Sequence, residues 1–150
     1  MEASSVKKSL IVIAIVLGAV LVIGSACGSK TESNQSASTG KVIKAVPVAN
    51  LTATLANDSG VLKRGNQELT ISFTDASGKL VDVGAISLNF HMDQMGTMSA
   101  MNDSVTFTTT NAPGVVRGKV NIEVGGEWQV QLAYEGSAGK GKTTFSVPVQ

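Results

Sequence analysis

Apolar and polar residues alternate along most of the chain from residue 49 onward. In ELTISFT, Leu69, Ile71 and Phe73 fall on one side of an extended backbone, and threonine and serine residues fall on the other. A period of two is typical of a strand that is buried on one face, whereas an amphipathic helix repeats its apolar residues every three or four positions. Because helical spacing occurs only around four methionines, the pattern predicts an all-β domain.

The same alternation recurs at short intervals, and glycine-containing turns separate the segments. Five further segments show this pattern: AISLNF, SVTFTT, VVRGKVNIEV, WQVQLAY and TFSVPV. Together with ELTISFT and an early strand near residues 49–55, they predict about seven strands. The intervening RGNQ, DASG, APG and VGGE are rich in residues that favour turns. Seven short antiparallel strands in about 100 residues predict an immunoglobulin-like β-sandwich, with Trp128 as a core residue.

The N-terminal segment predicts export and anchoring at a membrane. Lys7 and Lys8 precede an uncharged apolar run over residues 10–26, and Cys27 follows directly. The run IGSAC is similar to the lipobox of bacterial lipoproteins, in which the cysteine receives a lipid. We therefore interpret residues 1–27 as a lipoprotein signal peptide with lipidated Cys27, which holds the protein at the extracytoplasmic face of the cell membrane. An uncleaved transmembrane anchor is the alternative.

A polar segment separates this anchor from the alternating region. Residues 28–40 contain no large apolar residue and are rich in Ser, Thr, Gly and Asn, so they cannot bury enough surface to offset the entropy lost on ordering. We assign residues 28–46 to a flexible tether and residues 47–150 to one folded domain.

Composition limits the chemistry available to that domain. The chain has one cysteine, so a lipidated Cys27 leaves no disulfide and no thiolate metal ligand in the folded part. The formal net charge is +1 and there is no basic patch, so we predict no nucleic-acid partner. One histidine and no recognisable catalytic arrangement of side chains predict that the protein is not an enzyme.

Four methionines recur at three-residue intervals in FHMDQMGTMSAM, beside the only histidine, His91. The spacing would suit one side of a short helix packed on the core, but Gly96 and the polar residues around it favour a loop between two strands. By strand parity His91 points away from the core if Phe90 is buried. The candidate metal ligands are therefore Met92, Met95, Met98, Met101 and His91.

Thioether sulfur is a soft ligand that binds Cu(I) and leaves Zn²⁺, Mg²⁺ and Ca²⁺ to nitrogen and oxygen ligands. It is not protonated in water and forms no disulfides, so it suits a site outside the cytoplasm. Three sulfurs, or two sulfurs with the His91 imidazole, would satisfy Cu(I). The imidazole would also hold Cu(II) after oxidation.

Several short motifs resemble those of the YtkA-like family of exported proteins over about residues 60–149. The stretch LKRGNQELTISFTDASGKLVD is similar to the opening of the family, and MDQMG is similar to its Met-Pro-x-Met-Gly, with Asp93 in place of proline. Pro113-Gly114 and GEW at residues 126–128 also match, whereas Val116 stands where an aromatic residue is common. The resemblance implies an immunoglobulin-like sandwich, similar to the copper-associated FixH and CopC proteins, and a copper-handling context without a settled activity.

These observations lead to two hypotheses about function. The first is a membrane-tethered extracytoplasmic copper-binding protein that carries or buffers Cu(I) through its methionine-rich loop and exchanges it with a copper-transfer protein. The second is a non-catalytic interaction scaffold whose methionine loop docks a membrane partner.

Overall fold

The structure, a computed structural model, describes residues 40–150. This part of the chain is entirely β, with nine strands in two antiparallel sheets and no helix, so none that could cross a membrane. The predicted β-sandwich is thereby confirmed. The predictions for residues 1–27, including lipidated Cys27, lie outside the described residues.

The strands follow one another with short connections. In chain order they are β1 (Lys41–Val48), β2 (Leu51–Asn57), β3 (Gly65–Thr74), β4 (Ala85–Met92), β5 (Met101–Ser104), β6 (Thr106–Thr109), β7 (Val115–Ile122), β8 (Gly126–Gly136) and β9 (Gly139–Val149). One sheet has the order β1-β2-β3-β7-β6 and the other β5-β4-β8-β9. The two sheets enclose one core.

Strand β1 lies partly in the segment that the sequence assigned to the tether. It begins at Lys41 and pairs with β2 from Lys41↔Asn57 to Val48↔Leu51, and Val46 and Val48 are buried. Strand β1 therefore places residues 41–46, which the sequence assigned to the tether, in the folded domain. Backbone pairing with β2 and the burial of Val46 and Val48 order these residues.

The chain passes from one sheet to the other within the segment SVTFTT. Strand β5 pairs with β4, and β6 pairs with β7 in the opposite sheet. Val105 lies between them, buried, and its backbone N–H donates to the Leu88 carbonyl at 2.9 Å. This crossing and the added β1 account for nine strands where about seven were predicted.

The apolar face of each predicted strand forms the core. Trp128 is fully buried, and its indole Nε1 donates to the Val124 carbonyl at 3.0 Å, which satisfies its polar atom. Other predicted core residues that are buried are Leu69, Ile71, Phe73, Leu88, Phe90, Val105, Val120, Ile122, Val130, Leu132, Tyr134, Val147 and Val149. Ile86, Phe107, Val124 and Phe145 are partly buried and pack against this cluster.

The methionine segment projects from one end of the sandwich. Strand β4 ends there beside the start of β8, with His91 opposite Gln129, and the start of β8 pairs with the end of β9. A bridge from Leu62 to Val149 connects this end of one sheet with the loop between β2 and β3 of the other. Strand β1 also begins at this end, because Lys41 pairs with the last residue of β2.

Candidate metal centre

The segment between β4 and β5 continues their hairpin and ends in a two-residue turn. Met92 pairs with Met101 at the end of the ladder, and Met95 bridges Met98 in the same register. The Met95 N–H donates to the Met98 carbonyl at 3.2 Å, and the reverse bond is 3.0 Å. Gly96 has φ of 59° and Thr97 has no positive φ, which matches a type II′ turn with glycine first. The segment is thus an ordered hairpin rather than an irregular loop.

The four methionines divide between the two faces of this hairpin. Met92 is only 2% exposed and belongs to the core, and Met101 opposite it is partly buried against the same core. Met95 and Met98 are 51% and 43% exposed. Side chains alternate along a strand, so an offset of three residues reverses the face. The spacing that would align the methionines on a helix separates them here into two pairs.

His91 points away from the core as predicted, with Phe90 buried beside it, but both of its ring nitrogens are engaged. Nδ1 lies 2.8 Å from Oδ1 of Asn102, and Nε2 lies 2.9 Å from Oδ1 of Asp93. The hydrogen bond with Asn102, followed by that with Asp93, raises the pKa of His91 above its usual value. Protonated imidazole can donate to both oxygens at once, so this arrangement favours the cation over a metal ligand.

Neighbouring polar side chains hold Asn102 against His91. Asn89 Nδ2 donates to Asn102 Oδ1 at 3.4 Å, and the Ser104 hydroxyl donates to Asn89 Oδ1 at 3.1 Å. Asp93, Asn89, Asn102 and Ser104 were not singled out from the sequence as partners of His91. The cross-strand register of β4 and β5 pairs His91 with Asn102, whereas Asp93 lies two residues from His91 and so on the same face.

The structure brings four of the five predicted ligands together as two pairs, and only the pair of Met95 and Met98 is exposed. Met95 and Met98 oppose each other, and cross-strand pairs have Cβ atoms about 4.5–5.5 Å apart, so two flexible thioethers can reach one ion. His91 lies four residues from Met95, roughly 13 Å along an extended strand, with Asp93 between them. Met92 would have to leave the core to join. The arrangement therefore fits a two-sulfur site and not a single five-ligand site.

Within residues 40–150, no group of three or more His, Cys, Asp or Glu side chains is arranged to hold a metal ion. Asp103 of β5 has a raised pKa, first because of partial burial and second because of the Glu123 charge. The paired thioethers are the soft-metal candidate in this part of the chain.

A solved structure is similar to part of this chain. A DUF4785 family protein from Legionella pneumophila matches 67% of this chain with 15% identity and a TM-score of 0.45. The chain spans 28% of the length of that protein. None of the curated proteins matches the sequence.

The sequence also matches a known protein family over a long continuous range. The YtkA-like family matches residues 46–133, from the end of β1 to the middle of β8. This range contains the whole methionine hairpin and most of the core strands. The chain belongs to the YtkA-like family.

Proposed function

We propose that this protein binds Cu(I) outside the cytoplasm through the thioethers of Met95 and Met98 and passes the ion to a partner protein. The observation that carries the proposal is the exposed methionine pair, held opposite each other by two backbone hydrogen bonds across a two-residue turn. Thioether sulfur selects Cu(I) over divalent ions that prefer nitrogen and oxygen. The closed turn fixes the backbone positions of both ligands before the metal arrives.

An exposed two-sulfur site suits a carrier better than a store. Two thioethers leave a position at Cu(I) open for a ligand from a partner, so transfer can proceed by exchange of one ligand at a time. A buried site with more ligands would hold the ion more tightly and release it slowly. The position of the pair at the tip of a hairpin allows a partner to approach without unfolding the sandwich.

His91 takes a separate role in this proposal. Its ring is engaged by Asp93 and Asn102, so Cu(I) binding at the tip does not require it. Cu(II) has a stronger preference for imidazole and would compete with the proton on the ring. Attachment of Cys27 to lipid would keep the site at the extracytoplasmic face of the membrane.

A competition titration with Cu(I) tests the proposal. The full chain in detergent, with Cys27→Ser to remove the thiol, is titrated under reducing, oxygen-free conditions against a chromophoric Cu(I) chelator. We expect the parent to compete for the ion. We expect the double change Met95→Leu and Met98→Leu to abolish competition, because leucine keeps the volume and removes the sulfur.

Met92→Leu is the matched control, since it removes a thioether from the same hairpin on the buried face. It should compete like the parent. Unchanged competition after the double change at Met95 and Met98 would contradict the proposal. Loss of competition in Met92→Leu with retained folding would place a ligand in the core instead.

A second candidate function is docking of an apolar partner. The exposure of Met95 and Met98 favours it. Within residues 40–150, the exposed large hydrophobic residues are Val42, Met95 and Met98, and two of these three form the hairpin tip. Leucine preserves an apolar surface but not a soft ligand. Partner capture that survives the double leucine change, without Cu(I) binding by the parent, would favour the scaffold over the carrier.

A further inference from the structure

The methionines of the hairpin differ sharply in their access to reagents in water. Met95 and Met98 are 51% and 43% exposed, whereas Met92 is 2% exposed. The ε-methyl of Met92 packs over the start of β8, where a Cβ placed on Gly126 would lie 3.1 Å from it. A small solute therefore reaches the sulfurs of the turn and is excluded from the sulfur of the core.

We propose that Met95 and Met98 form a paired oxidation site through which peroxide-type oxidants switch off soft-metal binding. In each step a sulfur lone pair attacks one peroxide oxygen, the O–O bond breaks and an S–O bond forms. Methionine is oxidised by two electrons to the sulfoxide, and hydrogen peroxide is reduced to water. No catalytic group is needed, since accessibility of the thioether determines the selectivity.

The position of the pair allows this modification without loss of the fold. The turn is held by backbone hydrogen bonds between Met95 and Met98, so a polar oxygen on either side chain points into solvent and breaks neither bond. A sulfoxide on Met92 would instead place an unpaired polar group in the core, which is costly. Methionine sulfoxide can be reduced enzymatically, so a folded oxidised form can return to the active state.

The effect on metal binding rests on the proposed function. Oxidation replaces a soft thioether by a group whose exposed donor is a hard oxygen, and Cu(I) prefers the former. With both sulfurs of the pair modified, the hairpin tip retains its shape and loses its ligands. Exposure to an oxidant would then release copper or prevent its uptake.

Limited oxidation with hydrogen peroxide tests the order of reaction. The full chain carries Cys27→Ser, which removes the reactive thiol, and Met101→Leu, which leaves two thioethers in the turn fragment. Cleavage before aspartate separates residues 82–92, containing Met92, from residues 93–102, containing the pair. We expect mass spectrometry to show two added oxygen atoms on residues 93–102 while residues 82–92 remain unmodified.

Denaturation provides the control for intrinsic reactivity. In guanidinium chloride all three sulfurs should react at similar rates, because the fold no longer protects Met92. Oxidation of Met92 as early as that of the pair in the folded protein would overturn the inference. So would unfolding of the chain, seen as loss of its β-sheet circular dichroism, when only the pair is oxidised.

The oxidised protein is then titrated with Cu(I) beside the untreated protein. Loss of competition after oxidation of the pair supports the switch, and retained competition overturns it. If the untreated protein does not compete, the proposed function fails, and with it the metal-binding half of the inference. Mass spectrometry measures the order of oxidation independently of copper binding. Failure of the proposed function is therefore distinguishable from failure of the predicted order of oxidation.

Discussion

At the scale of single residues, environment gives chemically identical side chains different roles. Met92 and Met95 are three positions apart, yet one is enclosed by the core and the other is half exposed. The reason is the pleat of the strand, which turns successive side chains to opposite faces. A thioether in the core contributes through packing, whereas one at the turn is available to solutes.

Truncation of these two methionines should therefore affect stability very differently. Met92→Ala removes a buried side chain and leaves a cavity, so we expect a loss of about 2–5 kcal/mol in the free energy of unfolding. Met95→Ala should change it by no more than about 0.5 kcal/mol, as is usual for exposed positions. Urea unfolding followed by Trp128 fluorescence measures both. Equal losses would show that the two side chains share one environment.

At the scale of elements, the β4–β5 hairpin positions both the thioether pair and the polar group around His91. The register that pairs Met95 with Met98 also pairs His91 with Asn102, so a slip by one residue would disrupt both. Asp93, two residues beyond His91 on the same face, bonds to its Nε2. The hairpin thus separates a soft two-sulfur tip from a polar, proton-binding region nearer the sheet.

The pKa of His91 should fall when either oxygen partner is removed. The folded pKa is raised above the unfolded value, so its stabilising contribution is complete below about pH 6.5 and disappears as pH rises through the raised pKa. We expect Asn102→Ala to lower the pKa most and Asp93→Asn to lower it less, in an NMR titration of the imidazole protons. Asn66→Ala, outside the hairpin, is the control. An unchanged pKa in both hairpin variants would show that these contacts do not persist in solution.

At the scale of the whole molecule, the sandwich supports the methionine pair. The lipid anchor predicted at Cys27, outside the described residues, would hold the protein at the membrane. The hairpin tip and the start of β1 lie at the same end of the sandwich. The described part of the chain therefore begins at the end that carries the methionine pair.

The lipid anchor is tested by the distribution of the full chain between membrane and soluble fractions. If lipid on Cys27 holds the protein, processing and attachment both depend on the thiol, so Cys27→Ser should abolish incorporation of labelled fatty acid. Ser25→Ala, which keeps a small residue two positions before the cysteine, is the control and should retain the label. Membrane retention of both variants without any label would indicate a transmembrane anchor instead.

The sequence alone determined the features that depend on local chemistry. Alternation along each strand identified Leu69, Ile71 and Trp128 as core residues, because the face of a side chain depends only on its position in the pleat. It also predicted the sandwich, and short motifs predicted the YtkA-like family. The direction of His91, away from the core, followed from the same parity.

Only the tertiary structure decided which side chains come together. A three-residue methionine spacing aligns side chains on a helix and separates them on a strand, so their division into buried and exposed pairs required the actual backbone. The pairing of β1 with β2, the change of sheet at Val105 and the contact of His91 with Asn102 each require a second strand. Burial and cross-strand hydrogen bonds depend on two strands together, so the sequence of one strand does not determine them.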